Sequence, residues 1–161
     1  MPDTMPALTV RKSLTVGAPC AHAFQVFTTG FDSWWPRAHH IGQADLLAAV
    51  IEPKAGGRWY EKGIDGSECE WGTVLVYEPP TRLVLSWHLD GQWKYDPDPS
   101  HASEVDVRFI AEGDSRTRVE FEHRHLERAV DAEQLRAGVD SPQGWTGLLQ
   151  LFADKARQTA A

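Results

Sequence analysis

The chain has 161 residues, of which 42% are hydrophobic and 24% charged, and its formal net charge is −7. A chain of this size is typical of one globular domain, which buries roughly 68–70% of the surface that its unfolded form exposes. The acidic balance argues against a nucleic-acid partner, since it repels a phosphate backbone. No stretch approaches the roughly 20 apolar residues that a membrane span needs.

The N-terminus and the two cysteines indicate the compartment. Met1 to Pro6 lacks the basic and apolar regions of a signal peptide. Cys20 and Cys69 are too few for a disulfide scaffold, so we expect both thiols to be reduced. We therefore predict a cytoplasmic protein with a disordered segment over residues 1–7 and a single domain over residues 8–161.

The first part of the chain predicts one strand and two short helices. Apolar and polar residues alternate from Leu8 to Val16, which indicates a strand. Pro19 then starts a helix that ends at Gly30, because proline fits the first helical position, where no N–H is needed. A second helical turn begins at Phe31 and is stopped by Pro36.

Six further strands are predicted, separated by turns rich in glycine and proline. They are Ala44–Glu52, Arg58–Lys62, Cys69–Glu78, Arg82–Leu89, Glu104–Ala111 and Arg116–His125. If they form an antiparallel meander, three connections meet at one end of the sheet: 63–66, 90–102 and 126–140. Trp93 and Tyr95 would then flank the mouth of any pocket at that end.

The last segment predicts a long amphipathic helix that begins at Ser141. One apolar stripe recurs at three- and four-residue intervals along it: Trp145, Leu148, Leu149, Phe152 and Ala156. We expect this stripe to pack on the concave face of a curved sheet. A pocket between sheet and helix is the expected place for function.

Alternation along the strands predicts one covered and one wet sheet face. The covered face is predicted to carry Trp59, Glu61, Trp71, Thr73, Leu75, Leu85, Trp87, Leu89, Val105, Val107, Phe109, Val119, Phe121 and His123. The opposite face is predicted to carry Arg58, Glu70, Ser86, His88, Asp106, Arg108, Arg118, Glu120, Glu122 and Arg124.

Several motifs resemble those of one known superfamily. They are Phe31–Trp35, Pro53–Trp59, Gly72–Pro80, Arg82–Trp87, Thr117–His123 and Gly144-Trp145. Together they are similar to the START-like helix-grip (SRPBCC) superfamily, in the branch of the heat-shock protein 90 ATPase activator homologues. The resemblance implies an α+β fold, in which a curved antiparallel sheet of six to seven strands grips a long C-terminal helix. It also implies a hydrophobic pocket, since relatives include lipid carriers, polyketide cyclases and hormone binders.

The predicted ligand-binding residues are mostly aromatic, which suits a hydrophobic or aromatic ligand. They are Trp35, Trp59, Glu61, Trp71, Thr73, Trp87, Val107, Phe109, Phe121, His123 and Leu148.

The polar members of this set each leave two readings open. His123 shares a predicted strand face with His125; it contacts the ligand or is a satisfied histidine at the rim. Glu61 is either buried and paired or, in the reading we favour slightly, reaches solvent at the cavity mouth.

No metal or cofactor is predicted. Adjacent histidines such as His39 and His40 diverge, and no Cys-x-x-Cys motif accompanies them. No phosphate-binding glycine loop or nucleophile elbow is present either.

Three hypotheses follow for function. The first, which we favour, is a binding protein for a small hydrophobic molecule, monomeric or weakly dimeric. The second is a cyclase- or hydrolase-like enzyme that uses His123 and Glu61 as an acid/base pair. The third is a co-chaperone-like module that docks on a protein partner through an exposed apolar patch.

Overall fold

A computed structural model describes residues 8–160; the predicted disordered segment over residues 1–7 lies outside them. The strands are β1 (Val10–Val16), β2 (Leu46–Ile51), β3 (Arg58–Gly63), β4 (Glu68–Glu78), β5 (Arg82–Trp87), β6 (Ser103–Ala111) and β7 (Thr117–Arg124). The α-helices are α1 (Cys20–Phe27), α2 (Ala132–Val139) and α3 (Gly147–Thr159). Single 3₁₀ turns cover Phe31–Ser33, Pro99–His101 and Leu126–Arg128.

The seven strands form one sheet in the order β1-β7-β6-β5-β4-β3-β2. Every pairing is antiparallel, and the sheet curls into a half-barrel around α3. The predicted α+β helix-grip architecture is therefore confirmed, with two short helical segments after the first strand. Among the described residues, no helix has the length and apolarity that a membrane crossing requires.

The apolar stripe of the closing helix is buried as predicted. Trp145, Leu148, Leu149, Phe152 and Ala156 are all buried. The helix itself begins later than predicted, because Gly144 has non-helical dihedrals of φ −90° and ψ −137° within the Pro142–Thr146 turn. A Cβ at this glycine would lie 2.3 Å from the carbonyl oxygen of Val139, so a side chain has no room there.

The predicted alternation fails along β4, where Thr73 and Leu75 do not face inward. A β-bulge at Trp71 shifts the register against β3, and Thr73 pairs with Arg58 on the outer face. A second irregularity at Leu75 leaves that side chain 43% exposed. The bulge depends on Gly72, because a Cβ there would lie 1.8 Å from the carbonyl oxygen of Ser86.

His125 does not share a strand face with His123. The strand β7 ends at Arg124, and His125 has a left-handed backbone with φ 60°. This turn leads the chain away from the sheet, so His125 is half-exposed, and its Nδ1 lies 3.7 Å from Glu127.

The outer face is held by ion pairs around one buried carboxylate. Asp106 is bound by Arg124 at 2.7 Å and by Arg82 at 3.0 Å. Burial by itself would raise the pKa of Asp106, but hydrogen bonds from these two guanidinium groups outweigh it, and the net pKa is lowered. These ion pairs therefore link β5, β6 and β7 on the outer face of the sheet.

Candidate ligand-binding cavity

A cavity of about 540 Å³ opens at the end of the sheet where β5 finishes. Its lining comes from the sheet, from the connection between β1 and β2, from the loop after β5, and from the α2–α3 region. The lining residues are Trp35, Ala38, His39, His40, Ile41, Trp71, Trp87, Trp93, Gly138, Val139, Ser141, Gln143, Gly144, Trp145 and Leu148.

Five of the lining residues are tryptophans, and we call them the tryptophan wall: Trp35, Trp71, Trp87, Trp93 and Trp145. Neighbouring rings meet at steep angles. The ring centroids of Trp35 and Trp71 are 5.4 Å apart at 84°, and those of Trp71 and Trp87 are 5.6 Å apart at 90°. Such an arrangement presents flat faces and ring edges to a ligand.

Three of the five indoles already use their N–H groups within the protein. Trp35 donates to the carbonyl oxygen of His39 at 2.8 Å, and Trp71 donates to Glu61 Oε1 at 2.8 Å. Trp145 donates to His123 Nδ1 at 3.0 Å. The indole N–H of Trp87, by contrast, is buried without any hydrogen-bond partner in the protein.

His123 is fully buried behind the tryptophan wall and is not among the lining residues. Since an indole N–H can only donate, His123 Nδ1 accepts from Trp145, and Nε2–H is left to donate to Ser103 Oγ at 2.8 Å. Burial lowers the pKa of this imidazole to about 3. His123 is thus a neutral residue with both ring nitrogens engaged in hydrogen bonds within the protein.

Glu61 is also buried, at 2% exposure, so the prediction that it reaches solvent at the mouth is wrong. Besides the indole of Trp71, its carboxylate accepts the backbone N–H groups of Ile41 at 2.7 Å and Gly42 at 3.2 Å. Glu61 therefore pins the segment that carries His39 and His40 against the sheet.

The predicted acid/base pair of His123 and Glu61 does not form. His123 is bonded to Ser103 and Trp145, whereas Glu61 is bonded to Trp71 and to the 41–42 backbone. No hydrogen bond joins the two side chains within residues 8–160. The two groups stabilise different parts of the wall.

His39 and His40 are the titratable side chains of the lining. His39 Nε2 lies 3.0 Å from the carbonyl oxygen of Gln143, and His40 Nδ1 lies 2.8 Å from that of Gly42. Because a carbonyl only accepts, each of these nitrogens carries a proton, and in the neutral imidazole the other ring nitrogen is an acceptor. His39 Nδ1 is buried and has no partner in the protein. Within residues 8–160, no group of three or more His, Cys, Asp or Glu is arranged to hold a metal ion.

Four of the predicted ligand-binding residues line the cavity: Trp35, Trp71, Trp87 and Leu148. Of the others, Trp59, Val107, Phe109 and Phe121 lie in the core, and Thr73 lies on the outer face. Glu61 and His123 lie behind the wall. The sequence analysis did not place the 38–41 segment or the turn around Gly144 in the binding site. For the 38–41 segment, the available signal was the His39-His40 pair, which was considered only as a metal site.

The prediction that Trp93 lies at the cavity mouth is confirmed, because Trp93 lines the cavity and is 44% exposed. Tyr95 is not part of the lining. Its ring stacks on His88 instead, with centroids 5.4 Å apart. The loop between β5 and β6 therefore contributes one indole to the mouth.

Comparison with known proteins relates most of the chain to one family and to several solved structures. The family model described as "Activator of Hsp90 ATPase homolog 1-like protein" matches residues 17–155. A structure described as an anthrahydroquino-Gama-pyrone synthase, Txn09, complexed with SUM, is 40% identical, covers 96% of this chain and 99% of that chain, and has a TM-score of 0.65.

Two structures from Micromonospora echinospora are also similar. CalC, described as a self-sacrificing resistance protein, is 38% identical over 95% of this chain and 96% of that chain, with a TM-score of 0.71. CalU16 is 23% identical over 98% of this chain and 81% of that chain, with a TM-score of 0.59, and shows the fold alone. The search of curated proteins finds no match.

Proposed function

The chain belongs to the family of activator of Hsp90 ATPase homolog 1-like proteins, and on that basis we propose that it binds a small, flat, apolar molecule in the cavity. The observation that carries the proposal is the tryptophan wall around a space of about 540 Å³. Cavities of roughly 300–1,000 Å³ with mainly apolar and aromatic linings are typical small-molecule sites. A molecule of three or four fused rings suits these dimensions.

The electrostatics of the lining support an uncharged ligand. The lining residues, all within the described part of the chain, include no Asp, Glu, Lys or Arg. A charged group in such a space would lose its hydration without gaining an opposite charge, which is costly. A neutral aromatic molecule avoids that cost.

The comparisons support the same class of ligand. The relative with 40% identity is described as the synthase of an anthrahydroquino-pyrone, a name that indicates a fused aromatic compound. The relative with 38% identity is described as a self-sacrificing resistance protein, a role that requires contact with a harmful agent. Binding of a polycyclic aromatic molecule is consistent with both.

A fluorescence titration with anthracene tests this proposal. We expect anthracene to quench the indole emission of the wild type. Leu148→Trp should weaken binding at least tenfold, because Leu148 lines the cavity and the larger ring fills it. The matched control is Leu151→Trp on the same helix, whose side chain is 44% exposed and lies outside the lining.

Two results would contradict the proposal: no binding by the wild type, or equal binding by both variants. Native mass spectrometry of the purified protein supplies a second readout. A co-purified small molecule supports the proposal, whereas a stoichiometric co-purified protein would favour the partner-module hypothesis.

A second candidate function is cyclisation of the bound molecule, which the 40% identity to a synthase favours. The sequence-based pair of His123 and Glu61 lies outside the lining, so this candidate needs a different base. His39, whose Nδ1 is unpartnered, replaces His123 as the acceptor of a proton from a bound hydroxyl group.

The test is turnover of a hydroxylated polycyclic ketone, followed by chromatography. We expect turnover to be lost in His39→Phe. It should be retained in His22→Gln, since His22 lies on α1 outside the lining and bonds Thr159. Binding without turnover in the wild type would contradict cyclisation and support binding as the function.

A further inference from the structure

Two buried polar atoms beside the cavity have no hydrogen-bond partner in the described part of the protein: Trp87 Nε1 and His39 Nδ1. Both residues line the cavity, and Trp87 is 3% exposed. Buried polar side-chain atoms are paired in the large majority of cases, and an unpaired one costs about 1–3 kcal/mol. Two such atoms at one cavity call for an explanation.

The chemistry of each atom defines the partner that it lacks. Trp87 Nε1 is a donor only, so it needs an acceptor. In the neutral imidazole, His39 donates Nε2–H to the carbonyl oxygen of Gln143, and its Nδ1 then holds a lone pair that needs a donor. The site therefore lacks one acceptor and one donor.

We infer that the ligand supplies both: a carbonyl oxygen that accepts from Trp87 Nε1 and a hydroxyl group that donates to His39 Nδ1. The ligand class is thus an uncharged polycyclic aromatic compound that carries a carbonyl and a hydroxyl group. This inference rests on the proposed function, because it requires a ligand in the cavity.

Trp87 differs in this respect from its neighbours in the wall. The N–H groups of Trp35, Trp71 and Trp145 are used by His39, Glu61 and His123. These rings contribute contact area to any flat ligand. Trp87 contributes contact area and also a donor, so it can distinguish a ketone from a hydrocarbon of the same shape.

The acceptor half of the inference is tested with anthracene and anthraquinone, which share a three-ring outline. In the wild type, anthraquinone should bind more tightly. Trp87→Phe keeps a ring but removes the donor; it should erase this preference by weakening anthraquinone binding about fivefold to tenfold, the value of one hydrogen bond. Anthracene binding should change much less.

The matched control is Trp71→Phe, which also shrinks an indole of the wall. Because Trp71 donates to Glu61, its N–H is not free for a ligand. We expect this variant to change the affinities for anthracene and anthraquinone by similar factors and to keep the preference. Thermal unfolding of each variant establishes that it is folded.

The donor half is tested with 2-hydroxyanthraquinone and its 2-methoxy counterpart, which cannot donate. The wild type should prefer the hydroxyl compound, and His39→Phe should lose that preference. His40→Phe is the control, since His40 is adjacent in the lining but has no buried unpartnered atom.

The outcomes separate this inference from the proposed function. If anthracene and anthraquinone bind the wild type equally well, or if Trp87→Phe weakens both by the same factor, the inference is wrong and the binding function stands. If none of the four compounds binds the wild type, the proposed function fails, and the inference fails with it.

Discussion

Aromatic rings fill one end of the interior and enclose an empty space at the other. The filled end, which we call the phenylalanine cluster, consists of Phe24, Phe27, Phe31, Phe109 and Phe152. Its ring centroids approach to 5.0 Å between Phe27 and Phe152 and to 5.2 Å between Phe24 and Phe109. The open end is the tryptophan wall, near the residues where β5 ends and β6 begins.

The two regions differ in residue type, and this difference explains why one region is packed and the other surrounds a cavity. A phenylalanine ring has no polar atom, so shape alone decides its position, and α1 and α3 can close over it. An indole is larger and carries an N–H that must find a partner. Hydrogen bonds to Glu61 and His123 fix the orientation of the Trp71 and Trp145 indoles, which surround the cavity without filling it.

The largest expected effect comes from breaking the phenylalanine cluster. Phe152 is fully buried, so Phe152→Ala should lower the free energy of unfolding by about 3–5 kcal/mol, measured by urea denaturation. Leu151→Ala, at a 44% exposed position next to it, should change the value by at most about 0.5 kcal/mol. A loss below about 1 kcal/mol for Phe152→Ala would mean that this end is not tightly packed.

The same Leu→Ala substitution at two adjacent positions of α3 compares the packed region with the cavity, through the loss in the free energy of unfolding. Leu149 is buried away from the cavity, so Leu149→Ala should cost about 2–5 kcal/mol. Leu148 lines the cavity, where its side chain already has empty space on one side. Leu148→Ala should therefore cost less than Leu149→Ala, by about 1 kcal/mol or more. Equal costs would show that Leu148 is packed as tightly as Leu149, with no free space beside its side chain.

The pH dependence of stability tests whether His123, which accepts the N–H of Trp145, is buried and neutral. Burial lowers the pKa of His123 from 6.5 to about 3. Between these values the imidazole of His123 binds a proton in the unfolded chain but not in the folded chain. The contribution of His123 to the free energy of unfolding is therefore full above about pH 6.5 and is lost as pH falls. The slope approaches about 1.4 kcal/mol per pH unit.

The comparison variant is His123→Asn, whose amide can still accept from Trp145 but does not titrate. We expect the difference in unfolding free energy between wild type and variant to shrink as pH falls from 6.5. A difference that is constant over this interval would contradict a neutral, buried His123.

Two indoles of the wall can also be compared directly. Trp145→Phe leaves His123 Nδ1 without its donor, whereas Trp87→Phe removes an N–H that has no partner. Since both lose the same indole atoms, Trp145→Phe should cost about 1–3 kcal/mol more than Trp87→Phe in chemical denaturation. Equal costs would mean that the Trp87 N–H is satisfied in the absence of a ligand.

Much of the fold can be predicted from local patterns. The seven strands follow from alternation between glycine and proline turns, and the buried face of α3 follows from the spacing of Trp145, Leu148 and Phe152. These features are local, because the side-chain period of a strand or a helix is set by its own backbone. The same periodicity is enough to identify the covered face of β5, β6 and β7.

Only the tertiary structure decided which residues reach the cavity. The bulge at Trp71 turns Thr73 outward, and its position depends on pairing with β3 rather than on the sequence of β4 alone. The partners of the buried polar groups are also distant along the chain: Trp145 and His123 are 22 residues apart, and Ile41 and Glu61 are 20 apart. Composition shows how many donors and acceptors a chain has, but the fold determines which of them meet, and therefore which are left unpaired within residues 8–160.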